Sequence, residues 1–262
     1  MDNAPPPGVA ALLGRARQVV VFTGAGISAE SGVPTFRDDL TGLWARFDAE
    51  QLATPEAFHA DPDLVWGWYE WRRARVRRAQ PNAGHLATAA IEDLVPGSVV
   101  ITQNVDDLHE RAGSRAPIHL HGSLFAPRCV TEAAHPAPLP SGNGGATDPG
   151  EGERITPPLC VRCGALVRPG VVWFGEALPE KALNAAVTAA ASCDVLLTVG
   201  TAGLVYPAAE IPRIAARFGA TVIQINPRPT PLDEICAVNL RGPAAEVLPA
   251  LVEAAWEFTE RA

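Results

Sequence analysis

Two histidines stand two residues apart in the segment IHLHGS, at positions 119 and 121. Alternate residues of an extended chain point to the same side, so both imidazoles would face one surface. A neutral imidazole accepts a proton near pH 7, because its ordinary pKa lies close to that value. The segment therefore contains a candidate general base, although a histidine taken by itself more often has a structural role.

A glycine-rich loop, GAGISAESGVPTFRD, occupies residues 24–38 and follows an apolar run. Gly24 and Gly26 would let the main chain approach a pyrophosphate, and the N–H groups of a following helix would serve as donors. The GxGxxA spacing alone is equally compatible with a tight turn between a strand and a helix.

Four short runs at 18–22, 98–101, 195–199 and 221–225 are nearly all apolar. This composition is expected of parallel strands that are buried on both faces. Small or polar residues follow each run directly, and ligands of open parallel sheets bind beyond the carboxyl ends of the strands. These residues are Thr23 and Gly24, Thr102 to Asn104, Gly200 and Thr201, and Asn226.

Ala-rich helical segments at 180–191, 208–218 and 244–259 alternate with the strands. Such alternation predicts an α/β fold with a doubly wound, Rossmann-like parallel sheet. We assign residues 9–37, 94–128 and 169–260 to this sheet domain. A Trp-rich helical insertion (38–93) and a turn-rich, cysteine-containing insertion (129–168) are expected to pack together as a smaller second domain.

The composition narrows the classes of function. The chain has 262 residues and a formal net charge of −8, so a general nucleic-acid partner is not expected. No run approaches the about 20 apolar residues of a membrane span, and the N-terminus lacks the pattern of a signal peptide. Five cysteines suit a reducing compartment. We expect a cytoplasmic protein and, by default, a monomer.

Several motifs resemble those of the sirtuins, a family of NAD-dependent protein lysine deacylases. They are the glycine-rich loop, TQNVDDLH at 102–109, the His121-Gly122 pair and VVWFGE at 171–176. The motifs run in the family's order from about residue 18 to about residue 250, so the resemblance covers nearly the whole chain. It implies that His121 is the general base, and we expect His119 to be structural.

The resemblance also implies the residues that bind NAD. The phosphates would be surrounded by Gly24, Ala25, Gly26 and Ser28, the reacting ribose carbon would be covered by Phe36, and the loop would be ordered by Arg37. The nicotinamide ribose would be held by Gln103, and the nicotinamide pocket would be lined by Asn104 and Asp106. The phosphates and ribose would also meet Gly200, Thr201 and Ala202, the adenosine ribose would be held by Asn226, and the adenine would meet the turn at 242–244, which ends at Ala244. Ala202 and Arg228 depart from the family's usual Ser and Glu, which predicts weaker NAD binding at most.

The chemistry implied by the resemblance consumes NAD as a co-substrate. His121 would activate a ribose hydroxyl, and the products would be free lysine, nicotinamide and O-acyl-ADP-ribose. In VVWFGE, Val172 and Phe174 point the same way and would flank the lysine channel. The main chain of this segment would pair with an acyl-lysine protein substrate.

The helical segment WGWYEWRRARVRR (66–78) contains two residues that could select the acyl group of the substrate. Tyr69 and Arg72 share a helix face and match the Tyr-x-x-Arg pair of the desuccinylase-like branch of the family. An arginine fork binds a carboxylate bidentately and a phenol donates a further bond, so succinyl- and malonyl-lysine are the expected substrates. Four other arginines are expected on a solvated face: Arg73, Arg75, Arg77 and Arg78.

Sirtuins usually hold one structural zinc with two CxxC pairs. This chain has Cys129 and the pair Cys160 and Cys163, but Glu132 replaces the fourth cysteine. Because structural zinc is tetrahedral, Glu132, His135 or a water would complete the site, or the site is empty.

Four alternatives remain open at this point. The chain could be a plain lysine deacetylase or a non-catalytic NAD or ADP-ribose binding module, although His121 together with VVWFGE argues against the module. An NAD-dependent dehydrogenase is disfavoured, because no acidic residue follows a clear strand end about 20 positions after the glycines. Mono-ADP-ribosyl transfer is a fourth activity that the sequence leaves open.

Overall fold

The structure is a computed structural model that describes residues 5–34, 48–131, 136–137, 150 and 152–257. The strands within these residues are β1 (Val19–Thr23), β2 (Val99–Thr102), β3 (Ile118–His119), β4 (Gly122–Cys129), β5 (Val167–Val171), β6 (Val195–Val199), β7 (Thr221–Ile225) and β8 (Val238–Leu240). Predicted strands β6 and β7 have the expected bounds, whereas β1 and β2 begin and end one residue later.

A parallel sheet forms the larger part of the fold. Its strand order is β3-β2-β1-β6-β7-β8, and all neighbouring strands are parallel. From β1 the chain first adds strands on one side and then returns to add β6 on the other. The order therefore reverses between β1 and β6, which is where open α/β sheets bind their ligands.

Helices cover both faces of this sheet. The helices of the described residues are α1 (Pro7–Arg15), α2 (Ala49–Leu52), α3 (Pro55–Ala60), α4 (Pro62–Arg78), α5 (Ala83–Leu94), α6 (Leu108–Arg111), α7 (Glu180–Ser192), α8 (Glu210–Arg217) and α9 (Ala244–Glu257). The helices predicted at 180–191, 208–218 and 244–259 correspond to α7, α8 and α9. Within the described part of the chain, no helix has both the length and the apolar character to span a bilayer.

The alternation along β1 shows how the two cores are separated. Val19 and Val21 pack with α1, α5 and α9 on one face, whereas Val20 and Phe22 pack with α7 and α8 on the other. A strand with a period of two residues must be apolar throughout to satisfy both faces. The predicted doubly wound sheet is confirmed.

A second assembly joins the helical insertion to β4 and β5. These two strands pair antiparallel in a sheet of their own, and Leu124 and Val171 from them pack with Phe58, Trp68 and Tyr69. A neighbouring apolar cluster contains Trp66, Cys129 and Cys160. The exact domain boundaries given above stay a prediction.

Arg73 does not lie on the solvated face that was expected for it. Its side chain is fully buried, pairs with Glu70 and donates from Nε to the carbonyl oxygen of Leu124 at 2.9 Å. The guanidinium also stacks over Trp66, 5.4 Å from the ring centre. The expectation for Arg73 was wrong because local pairing and stacking compensate its burial.

Candidate active site

The glycine-rich loop crosses the end of β6 in direct main-chain contact. Gly24 N–H donates to Val199 O at 3.0 Å, and Gly26 N–H donates to Gly200 O at 2.8 Å. A Cβ atom on Gly26 would lie 2.7 Å from the Cα of Gly200, and one on Gly24 would lie 2.8 Å from the Cα of Thr201. Only glycine permits this approach, so Gly24, Gly26, Gly200 and Thr201 meet at the switch point of the sheet.

Within the glycine-rich loop, a 3₁₀ helix spans Ala25–Ser31 and is capped by Gly32, where φ is +77°. Asn82 holds it in place: its Nδ2 donates to Ile27 O at 2.8 Å and to Ser31 Oγ at 3.0 Å. The Oδ1 of the same residue accepts from the first N–H groups of α5 and so caps that helix. One side chain thus joins the glycine-rich loop region to α5.

Ser28 is the centre of a buried polar cluster. Its Oγ donates to Asp106 Oδ2 at 3.0 Å and accepts from Asn104 Nδ2 at 3.1 Å. His85 Nε2 lies 3.4 Å from the same oxygen. Burial raises the pKa of Asp106 above its ordinary value. The predicted residues Ser28, Asn104 and Asp106 are therefore brought together, whereas sequence reasoning assigned no role to His85.

A second buried histidine supports the start of the 102–109 motif. His109 Nε2 lies 2.9 Å from Thr23 Oγ1, which donates to Thr102 Oγ1 at 2.8 Å. Thr102 Oγ1 in turn accepts from the main-chain N–H of Asn104 at 3.0 Å. This row of side chains links the ends of β1 and β2 and fixes the main chain at Asn104.

His121 is held by the main chain of the same motif. Its Nδ1 donates to Gln103 O at 2.9 Å, which leaves Nε2 as the basic nitrogen. Burial lowers the pKa of His121, against the opposing effect of the carbonyl. The imidazole is thus neutral near pH 7 and can accept a proton.

His119 is paired rather than available. Its Nδ1 donates to Asn104 O at 3.0 Å, and its Nε2 lies 2.7 Å from Glu110 Oε1. Burial lowers the pKa of His119, but the hydrogen bond to the Glu110 carboxylate outweighs this effect and leaves the pKa raised. This geometry fits the structural role expected of it.

Polar groups that follow β2, β6 and β7 form one hydrogen-bonded series. Gln103 Nε2 donates to Thr201 Oγ1 at 2.7 Å, and Asn226 Nδ2 donates to Thr201 O at 2.9 Å. Ala202 follows Thr201 directly, and the buried Ala244 begins α9. The polar edge predicted from the strand ends is present, and its mixture of main-chain and side-chain donors fits a dinucleotide.

The VVWFGE segment alternates as predicted. Val171 and Trp173 are buried, whereas Phe174 is exposed and Val172 is half-buried. Val172 N–H donates to His121 O at 2.8 Å, and Phe174 N–H donates to Ala53 O at 2.9 Å. This segment therefore lies directly beside the candidate base.

Glu176 organises the end of this segment, a role that the sequence did not indicate. Its carboxylate accepts from Trp173 N–H at 2.8 Å and forms a bidentate pair with Arg168, with N–O distances of 2.5 and 2.9 Å. The Arg168 guanidinium also stacks on Trp173, 3.4 Å from the ring centre. Together these contacts fix the position of the Trp173 ring.

Tyr69 and Arg72 lie on α4 beside these rings. The buried Tyr69 hydroxyl accepts from Trp173 Nε1 at 2.9 Å, and burial raises the Tyr69 pKa to about 12. The Arg72 guanidinium lies over Trp68, 5.0 Å from the ring centre, and burial lowers its pKa. The charges of Tyr69 and Asp106 oppose this lowering of the Arg72 pKa.

Three cysteines meet at the end of the β4–β5 pair. The sulfur atoms of Cys129, Cys160 and Cys163 all lie within 4.8 Å of one another, and those of Cys129 and Cys163 are 3.4 Å apart. Thiolates that share one zinc at about 2.3 Å have similar separations, so the three residues fit a zinc ion. Four predicted residues lie outside the described part of the chain: Phe36, Arg37, Glu132 and His135.

Comparison with known proteins adds a family and relatives. The model of the Sir2 family matches residues 24–207. The NAD-dependent protein deacylase 1 of Pseudomonas aeruginosa is 57% identical over 249 residues, which cover 95% of this chain and 98% of the relative.

Solved structures agree in fold. A crystal structure of a Sir2 homologue in complex with NAD is 44% identical and has a TM-score of 0.86, covering 97% of this chain and 94% of that one. A structure of Sir2 bound to an acetylated peptide is 30% identical with a TM-score of 0.78, covering 92% and 94% respectively.

Proposed function

The chain belongs to the Sir2 family, and from that premise we propose that it removes acyl groups from protein lysines with NAD as co-substrate, and that it prefers succinyl and malonyl to acetyl groups. The single observation that supports catalysis best is the neutral His121, whose Nε2 is left basic by the bond from Nδ1 to Gln103 O. The observation that supports the acyl preference is the pairing of the buried Tyr69 with the half-buried Arg72 on one face of α4.

NAD, when bound, supplies a ribose carbon from which nicotinamide departs, so that the acyl group is transferred to the ribose. The main chain at Gly24 and Gly26 would hold the phosphates, because these glycines let it approach a ligand closely. Gln103, Thr201 and Asn226 would hold the riboses, and Asn104 and Asp106 the nicotinamide. Phe36 and Arg37, which lie outside the described residues, retain the roles implied by the family.

The Nε2 atom of His121 would accept the proton of a ribose hydroxyl. A base with a pKa below that of free imidazole is neutral at physiological pH and needs no prior deprotonation. The bond to Gln103 O fixes the ring orientation and stabilises the imidazolium that forms. The main-chain carbonyl of Gln103 thereby links the base His121 to the residue that would hold the ribose.

The substrate main chain would lie along VVWFGE, with Val172 and Phe174 beside the lysine side chain. The N–H groups of Val172, Trp173 and Phe174 already donate within the protein. Pairing with the peptide would therefore use the carbonyl oxygens of Val172 and Phe174 as acceptors for peptide N–H groups.

The acyl pocket would distinguish its substrates by charge. A guanidinium has five donors and no acceptor, so the half-buried Arg72 would bind a carboxylate through two parallel hydrogen bonds. Succinyl- and malonyl-lysine provide a carboxylate for this contact, whereas acetyl-lysine does not. The Tyr69 hydroxyl would donate a further bond to the same carboxylate.

We propose that Cys129, Cys160 and Cys163 hold a structural zinc ion. Their thiolates would cross-link β4 to the turn before β5, with Glu132 or His135 as the fourth ligand. For the whole chain we propose a monomer in the cytoplasm, and five cysteines without a disulfide bond support this location. Light scattering on the purified protein tests the monomer.

The acyl preference can be tested with two peptides that differ only in their acetyl- or succinyl-lysine, incubated with and without NAD and followed by mass spectrometry. We expect NAD-dependent loss of succinyl to be much faster than loss of acetyl. Arg72→Met, which keeps the length of the side chain but removes its charge, should lose the succinyl reaction and keep the acetyl reaction. Faster acetyl loss by the wild type would contradict the preference and leave a deacetylase.

A further inference from the structure

We propose that Trp173 is a specificity-determining residue that acts through Tyr69. Its indole N–H donates to the Tyr69 hydroxyl oxygen, so the hydroxyl proton points away from the indole and is donated to the acyl group. The inference rests on the proposed function, because it concerns how the acyl pocket recognises a carboxylate. It starts from the contact between Trp173 Nε1 and Tyr69 Oη, 2.9 Å apart and buried.

The direction of this hydrogen bond is fixed by chemistry. An indole nitrogen only donates, so the Tyr69 oxygen is the acceptor. A phenolic hydrogen lies near the ring plane and has two favoured positions, and the indole N–H disfavours the one that points towards it. The Tyr69 hydrogen therefore takes the other position, and among the described residues no further hydrogen bond engages the hydroxyl.

The hydroxyl also stays protonated at any pH that the enzyme meets, since burial raises the Tyr69 pKa to about 12. Tyr69 is thus a donor, and Arg72 on the same helix face is a donor without acceptor capacity. Two donors and no acceptor favour an anionic ligand such as a carboxylate over a neutral methyl group.

Trp173 is itself restrained on all sides. Arg168 stacks on one face of its ring, Phe58 packs against it with ring centres 5.4 Å apart, and Glu176 binds its main-chain N–H. The indole therefore has little freedom to turn its N–H away from Tyr69. The residue immediately before it, Val172, donates to the carbonyl of His121, so the same segment positions both the base and the acyl pocket.

The test is Trp173→Phe, which keeps an aromatic ring but removes the N–H. We expect the ratio of succinyl to acetyl kcat/KM to fall about twofold to threefold, because the Tyr69 proton is no longer directed to one of its two positions and the hydroxyl is no longer polarised by the indole. Tyr69→Phe removes the donor itself and should lower the ratio further, by about tenfold. The double variant should be no worse than Tyr69→Phe, because Trp173 acts only through the Tyr69 hydroxyl. Trp66→Phe, at another buried indole of α4, should keep the wild-type ratio.

The results can distinguish a wrong role for Trp173 from a wrong acyl preference. A wild type with no succinyl preference contradicts the proposed acyl preference, and the inference falls with it. A wild-type preference that Trp173→Phe leaves unchanged, or losses that multiply in the double variant, contradicts the inference alone.

If Trp173→Phe does not fold, the wild-type protein can be tested by NMR with tyrosine labelled with ¹³C at Cζ. The chain has two tyrosines, so Tyr206→Phe assigns both signals. A succinyl-lysine peptide should shift the wild-type Tyr69 signal far more than an acetyl-lysine peptide, and equal shifts would overturn the inference.

Discussion

Nδ1 of His121 lies 2.9 Å from the main-chain oxygen of Gln103, the residue whose side chain reaches Thr201. Because a carbonyl oxygen only accepts, the imidazole proton is on Nδ1 and the lone pair is on Nε2. The tautomer required of a base is therefore set by the main chain at the end of β2. The same short motif connects this base to the edge of the sheet where the glycines meet β6.

The pH dependence of catalysis follows from the environment of His121. Burial lowers its pKa, so the base stays unprotonated to lower pH than free imidazole does. We expect kcat/KM to rise with pH through a limb whose midpoint lies below the ordinary value of about 6.5 and to be flat above it. A pH profile with saturating NAD measures this, and a midpoint above 6.5 would show that another group controls the rate.

The buried histidines predict how stability depends on pH. Burial lowers the pKa of His85 to about 4 and that of His109 to about 3. Below about pH 6.5 the unfolded chain binds protons that the folded protein excludes, so stability is full above that pH and falls by about 1.4 kcal/mol per pH unit for each histidine. The loss should continue towards about pH 4 for His85 and about pH 3 for His109.

Urea unfolding between pH 6.5 and 4.5 measures this slope. In His109→Gln one of the two contributions should disappear, whereas His59→Gln, at an exposed histidine of α3, should keep the wild-type slope. If all three proteins lose stability equally with falling pH, His109 is not held neutral in the fold.

Much of the fold could be predicted because burial patterns are local. The strands β6 and β7 have the predicted bounds, since a nearly apolar run followed directly by small or polar residues defines each of them. Strands β3 and β8 were not predicted, because two or three residues are too few to establish a period. Arg73 was misplaced because its partners are a neighbouring carboxylate and the distant carbonyl of Leu124.

The residues of the candidate site could be predicted where they belong to a sequence motif. They could not be predicted where their role depends on a contact with a residue far away in the sequence. His121 and the glycines stand in recognisable motifs, so their positions followed from the sequence. The bond between Tyr69 and Trp173 joins residues 104 positions apart, and that between Thr23 and His109 joins residues 86 apart. Nothing in either segment indicates its partner. His109 belongs to a motif that was noted, but its burial and pairing, like those of His85, required the fold.

Asn82 should affect both stability and NAD binding. In Asn82→Ala, α5 loses its N-cap at about 1 kcal/mol, and the 3₁₀ helix loses its bonds at Ile27 and Ser31. We expect KM for NAD to rise several-fold with a smaller change in kcat. Thr54→Ala removes the cap of α3 away from the glycine-rich loop and should cost similar stability with an unchanged KM. Equal KM values in the two variants would contradict the proposed link.

The cysteine cluster predicts a metal content. Protein purified without added zinc should contain about one zinc ion per chain by elemental analysis, because three thiols are already gathered within 4.8 Å. Cys160→Ser should lower this ratio strongly and reduce the melting temperature, whereas Cys236→Ser, outside the cluster, should change neither. A wild-type ratio near zero would contradict the zinc site.

The most direct test of the central claim is the stoichiometry of products from one acyl-lysine peptide and NAD, measured by mass spectrometry for the wild type and for His121→Ala. We expect one nicotinamide and one O-acyl-ADP-ribose for every lysine freed. In His121→Ala turnover should be lost, while calorimetry still detects NAD binding. Lysine freed without nicotinamide, or near-normal turnover by His121→Ala, would contradict NAD-dependent deacylation with His121 as its base.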